Sequence, residues 1–103
     1  MPAPPVQIIH PVKLHQMNDF YFVYVLRNLV DNKNYTGFTK NLMQRFEAHN
    51  KGLVVSTKNR RPLTLIYFEG CLSMDDAIRR EKYLKTHYGK MYLGNRLKSY
   101  LTG

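Results

Sequence analysis

Residues 21–26 read Tyr-Phe-Val-Tyr-Val-Leu, an aromatic and β-branched run that commits the chain to a sheet. Asp31-Asn32-Lys33-Asn34 follows as a turn cluster, and Tyr35-Thr36-Gly37-Phe38-Thr39 reads as a second short strand. Together they predict a hairpin. Leu63 to Phe68 predicts a third strand.

Helices fill the spaces between and after the strands. Thr39 is placed to cap a helix over Leu42 to Asn50, with Leu42, Met43 and Phe46 on its apolar face and Gly52 as its stop. Lys51 to Pro62 is polar and basic, hence a loop. Ser73 opens a second helix with Asp75 and Asp76 in its first turn, where the helix dipole favours acids. Ala77, Ile78, Tyr83 and Leu84 would face inward, and Gly89 would end it. Met91 to Leu101 predicts a third short helix. The expected class is α+β, a three-stranded antiparallel sheet flanked by helices in the order β-β-α-β-α-α, spanning residues 21–103.

Residues 1–20 read differently. Pro2, Pro4, Pro5 and Pro11 remove backbone donors and block helix, so an extended or flexible tail is expected. Ile8, Ile9 and Val12 leave open whether part of it docks. The tail carries Lys13 and Asp19, which cancel, so the formal net charge of +9 belongs to residues 21–103. With 16 Lys+Arg against 7 Asp+Glu, such a chain favours polyanionic partners. Nucleic acid and an anionic membrane surface both qualify. The sequence of 103 residues supports one small domain, and 44% hydrophobic content argues against global disorder. The single Cys71 forms no internal disulfide and reads as a buried structural thiol in a reducing compartment. No run approaches a membrane span and no signal peptide is expected, which points to the cytoplasm.

Several polar residues sit where a thin core would not want them. Tyr24 lies in the first strand, Tyr35 opens the second, and Arg45 falls on the first helix with His49 one turn further along the same face. Glu81 stands among cations in Arg79-Arg80-Glu81-Lys82. Singly, each has a plain reading: Tyr24 as core, Arg45 as solvated surface, Glu81 as the partner of Lys85 at i+4, and Lys58, Arg60 and Arg61 as a solvated loop. His87 is assigned no role. As an ordered set they carry more.

The set resembles the GIY-YIG nuclease superfamily. Phe22-Val23-Tyr24 stands at the first motif and Tyr35-Thr36-Gly37 at the second, and the likeness covers about residues 21–100. It is most similar to small stand-alone bacterial members, through Tyr21 to Leu26, Arg60-Arg61-Pro62 and Ala77 to Lys82. Phe22 and Val23 replace the Gly and Ile of the first motif, and Thr36 replaces the Ile of the second. Phe38 stands where some members, such as the N-terminal nuclease domain of the excision-repair endonuclease, have Lys.

The resemblance implies roles. Glu81 would hold a single Mg²⁺ or Mn²⁺, Arg45 would lie beside the scissile phosphate, and Tyr24 and Tyr35 would be the motif tyrosines, one of them helping to activate water. His49 competes with Tyr35 as base, needing no pKa shift for the task. Asn95 would match a C-terminal asparagine of several members. Lys58, Arg60, Arg61 and Arg80 would contact nucleic acid, DNA ahead of RNA. The implied function is a metal-dependent DNA endonuclease in repair, recombination or processing. The alternative is a basic nucleic-acid-binding module without significant catalysis. A membrane-surface role lacks a basic amphipathic helix with a broad apolar face. Specificity would come from DNA shape, a homodimer or a partner protein.

Overall fold

The computed structural model describes residues 14–103 together with Pro2. Here the Tyr21–Leu26 run becomes the middle strand of a sheet. Strand β1 (Tyr21–Arg27) pairs antiparallel with β2 (Asn34–Thr39) on one side and β3 (Thr64–Cys71) on the other. Successive strand residues face opposite ways, and both faces are covered. Phe22, Tyr24 and Leu26 pack with Leu42 and Leu63 on one; Val23 and Val25 pack with Ala77, Leu84 and Leu93 on the other. The run therefore has no polar alternation.

The helices are α1 (Leu42–Asn50), α2 (Met74–Leu84), α3 (His87–Arg96) and α4 (Lys98–Thr102), with short 3-10 turns at Met17–Asp19 and Lys58–Arg60. The α+β class and the β-β-α-β-α-α order hold, with the last helical stretch broken at Leu97. Among the described residues, no helix is long and apolar enough to cross a membrane. The tail expected over residues 1–20 lies mostly outside the described residues. Within its described part, the Gln16 N–H donates to Asp19 Oδ2 at 2.8 Å across the first 3-10 turn.

Several local expectations are corrected. Asn41, not Thr39, caps α1: its Oδ1 accepts from Gln44 N at 3.2 Å, while Thr39 Oγ1 accepts from Asn41 N at 3.1 Å and steadies the cap. Gly89 does not end the second helix. Thr86 caps α3 first, its Oγ1 accepting from Gly89 N at 3.1 Å, and a side chain at 89 would strike the Tyr83 carbonyl. Met43 and Tyr83 are 60% and 41% exposed. The inward stripe of α1 is instead Leu42, Phe46 and His49, one helical face at i, i+4 and i+7. Cys71 ends β3 half-buried, and burial foremost pushes its thiol above the ordinary value.

Asn28 ties the hairpin to the basic loop. Its Oδ1 accepts from the N–H groups of Val30 and Asp31 at 2.7 and 3.0 Å, an Asx-type closure of the turn. Its Nδ2 donates to the Arg60 carbonyl at 2.6 Å. The loop after α1 is thereby held beside the start of β2, where Arg60 Nη2 donates to the Asn34 carbonyl at 3.1 Å.

Candidate active site

Tyr24 points from the middle of β1 toward α1. Its cross-strand partner on β2 is Gly37. A Cβ at Gly37 would lie 2.6 Å from the Tyr24 hydroxyl oxygen and 2.7 Å from Cζ, so the phenol occupies the space a side chain would take. On the far side the Tyr24 hydroxyl meets His49 Nε2 at 2.8 Å, and His49 Nδ1 meets Thr57 Oγ1 at 2.7 Å. Tyr24 is 1% exposed, and His49 and Thr57 are fully buried. Tyr35 closes the group, its ring centroid 5.0 Å from that of His49 and 6.4 Å from that of Tyr24.

Burial foremost pushes the Tyr24 phenol above its ordinary value of 10.0. The Arg45 guanidinium beside it pulls the other way, and Tyr35 and Glu81 add to the rise. Burial foremost, then the charge of Arg45, holds His49 below its ordinary value of 6.5. His49 is thus neutral at pH 7 and carries one ring proton. Because Arg45 faces the phenol oxygen, the Tyr24 O–H is assigned as donor to Nε2. The Nδ1–H then donates to Thr57.

Arg45 itself is exposed, and among the described residues it enters no ion pair. Glu81 acts on Tyr24 from α2, and its Oε1 lies 2.6 Å from Lys85 Nζ. Among the described residues, no cluster of three or more His, Cys, Asp or Glu could cage a metal. A lone carboxylate still fits Mg²⁺ or Mn²⁺, since Mg²⁺ takes oxygen donors, keeps several waters and uses substrate phosphates as further ligands. The Lys85 side chain is 52% exposed and on a flexible stem, so it can leave the carboxylate.

The remaining site candidates divide. Lys58 is exposed and its ammonium has no partner among the described residues. Arg60 reaches Asn34 at the mouth of β2. Arg61 folds back, donating to the carbonyls of Lys58 at 2.9 Å and Asn50 at 3.3 Å across Gly52, whose φ of +76° favours glycine. Arg80 forks onto Glu69, with Nε–Oε1 at 2.5 Å and Nη2–Oε2 at 3.2 Å, and lies 4.6 Å over the Tyr92 ring. The Tyr67 hydroxyl also donates to Glu69 at 2.7 Å, and burial foremost raises its pKa. Asn95 is exposed on α3. Sequence reasoning passed over Thr57 and Asn28. A threonine in a basic loop and an asparagine after a strand carry no signal until their partners are in place.

A family model for the GIY-YIG catalytic domain matches residues 20–100. A UPF0213 protein of Pediococcus pentosaceus is 50% identical over 70 residues, 67% of this chain and 72% of the relative. UPF0213 proteins of Staphylococcus haemolyticus and Staphylococcus aureus are 42% identical over 67 residues and 39% over 70, covering 80% and 84% of those relatives and 64% and 67% of this chain. The tyrosine pair with its glycine, the helix-borne Arg45 and His49, and Glu81 on α2 all fall within the matched span: the chain belongs to the GIY-YIG catalytic-domain family.

Proposed function

We propose that the chain is a metal-dependent endonuclease that hydrolyses DNA phosphodiester bonds in repair, recombination or processing. The observation that carries this reading is the packed group of Tyr24, Tyr35 and His49, with Arg45 beside the Tyr24 phenol. Glu81 would hold one Mg²⁺ or Mn²⁺, which when bound neutralises charge building on the phosphate. Arg45, exposed and without an ion pair among the described residues, offers a planar fork to the same phosphate oxygens. The Tyr35 hydroxyl has no hydrogen-bond partner among the described residues, which supports Tyr35 over His49 as the group that would orient the attacking water. Buried His49 reaches that water only through a neighbour; it acts as proton acceptor for Tyr24 and so keeps the phenol oxygen aimed at Arg45. Lys58 and Arg60 would take the flanking backbone; Arg61 and Arg80 would first have to leave their partners, the Lys58 and Asn50 carbonyls and Glu69, and Asn95 would reach it from α3.

Purified protein with Mg²⁺ or Mn²⁺ and supercoiled, single-stranded or branched DNA is expected to cleave, and Glu81→Ala to lose cleavage. Cleavage surviving in Glu81→Ala would overturn the metal assignment. A second reading, a nucleic-acid-binding module without significant catalysis, is favoured by one observation: the Glu81–Lys85 ion pair occupies the carboxylate. Salt-dependent binding with no cleavage under any metal would select it. One such site cuts one strand, so double-strand cleavage would take a homodimer or a partner. The unpaired Cys71 suits a reducing, cytoplasmic setting.

A further inference from the structure

A cleft of about 650 Å³ runs along the outer edge of β2, the strand that carries Tyr35. Its floor is apolar, made by Leu84, Leu93, Leu97 and Leu101 from α2, α3 and the chain end. Its lining is also cationic: Lys33, Arg60 and Lys90 line it together with Lys85, whose ammonium pairs with Glu81, and no carboxylate is among the lining residues. A continuous duplex backbone needs only the cations. Leucines with cations above them suit a ligand that is flat and apolar in its body and anionic at its ends.

Gly94 supplies an independent observation. It lies within α3, where glycine costs helix stability, and it lines the cleft. A Cβ there would meet nothing within 4 Å, so no packing neighbour in the protein demands a glycine. The space it leaves opens into the cleft.

We infer that this cleft is a nucleobase subsite, which takes one unstacked base of the strand being cut while the rim cations hold its flanking phosphates. The inference rests on the nuclease reading for the position of the cut, and it deepens that reading by naming the substrate class: nucleic acid with at least one unpaired base beside the scissile phosphate. Reading an unpaired base by its apolar face is sequence-tolerant, and extruding a base from a duplex carries an unstacking penalty that a single strand avoids. Tyr35, the one aromatic residue lining the cleft, would lie between the bound base and the phosphate at Arg45, its ring packed against His49.

The test is equilibrium binding of the full chain, without divalent metal, to end-labelled probes read by fluorescence anisotropy. The probes are a single-stranded DNA, an abasic strand of equal length and the matched duplex. The unsubstituted chain is expected to prefer the single strand over both others by about tenfold or more. Gly94→Phe, which projects a ring into open space, is expected to bring single-strand binding down to the abasic level and leave duplex binding unchanged. Gly94→Ala is the control and should bind as the parent does, and thermal melting verifies that both variants fold. Equal affinity of the parent for intact and abasic strands, or full single-strand binding by Gly94→Phe, overturns the subsite while leaving the nuclease reading intact. No binding to any probe overturns the subsite, while cleavage with Mg²⁺ or Mn²⁺ remains the separate test of the nuclease reading. Capture by anionic phosphatidylglycerol vesicles that Gly94→Phe abolishes would assign the cleft to lipid and overturn the proposal.

Discussion

The Tyr24 hydroxyl stands 2.8 Å from Nε2 of His49, a residue 25 positions away in the chain, with both side chains buried. A strand and a helix that pack through leucines thus share one polar contact at the centre of their interface. A buried hydrogen bond stabilises modestly when made and costs more when half of it is removed. Tyr24→Phe leaves Nε2 without its donor, and a loss of about 1–3 kcal/mol is expected in chemical denaturation. A variant as stable as the parent would show that water replaces the hydroxyl.

Gly37→Ala attacks the same contact from the other side. The new methyl would stand 2.6 Å from the Tyr24 oxygen, inside van der Waals contact, so the ring must move. Overpacking of this kind costs about 1–3 kcal/mol. The melting temperature is expected to fall, and nicking of supercoiled DNA to fall with it as the phenol shifts off His49.

Thr57 holds the other ring nitrogen of His49 at 2.7 Å. Thr57→Val keeps the shape and removes the oxygen, so the tautomer loses its anchor, whereas Thr57→Ser retains it. Imidazole ¹⁵N chemical shifts distinguish the two cases. The parent and the serine variant should show protonated Nδ1 and unprotonated Nε2, and the valine variant a mixture. An unchanged tautomer in Thr57→Val would refute the anchoring role.

Because burial and Arg45 depress the pKa of His49, the unfolded chain binds a proton that the folded chain refuses. Stability is therefore complete above the ordinary value of 6.5. It falls as the pH drops through that value, until the folded form itself protonates. Denaturation midpoints between pH 8 and pH 5 should trace this decline, with His49→Gln flattening it.

Glu81→Gln separates stability from catalysis. Its pair with Lys85 is an i,i+4 pair with the lysine half in solvent, worth about 0.3–0.5 kcal/mol on a helix surface. Unfolding should hardly change, while metal-supported cleavage is expected to be lost. A large loss of stability would recast the carboxylate as a structural group.

The strands and the two main helices were legible in the sequence because each has a local cause, whereas the site roles of Tyr24, Tyr35, Arg45, His49 and Glu81 came from the family resemblance. Tyr21 to Leu26 makes a strand by bulk at Cβ, and the acids at 75 and 76 mark a helix start by their dipole. Caps were less legible: Thr39 and Asn41 are equally capable, and the backbone path chose Asn41. Gly89 has the look of a stop only while Thr86 is not known to start the next helix. For the cations, sequence supplied the partner only for Lys85, which meets Glu81 one helical turn away; for the others it supplied the charge alone. Arg80 found Glu69, Arg61 found two carbonyls, and Lys58 found neither.

Residue type and spacing were enough to place Tyr24, Tyr35, Arg45, His49 and Glu81 on their elements, since strand and helix periodicity are local properties of the chain. Packing alone decided that His49 would be sealed between Tyr24 and Thr57 rather than face water, and that Gly37 would yield its space to a phenol. Those outcomes depend on which atoms meet across the sheet and the loop after α1. Contacts between residues far apart in sequence are set by the three-dimensional fold, where burial turns an ordinary histidine into a neutral acceptor.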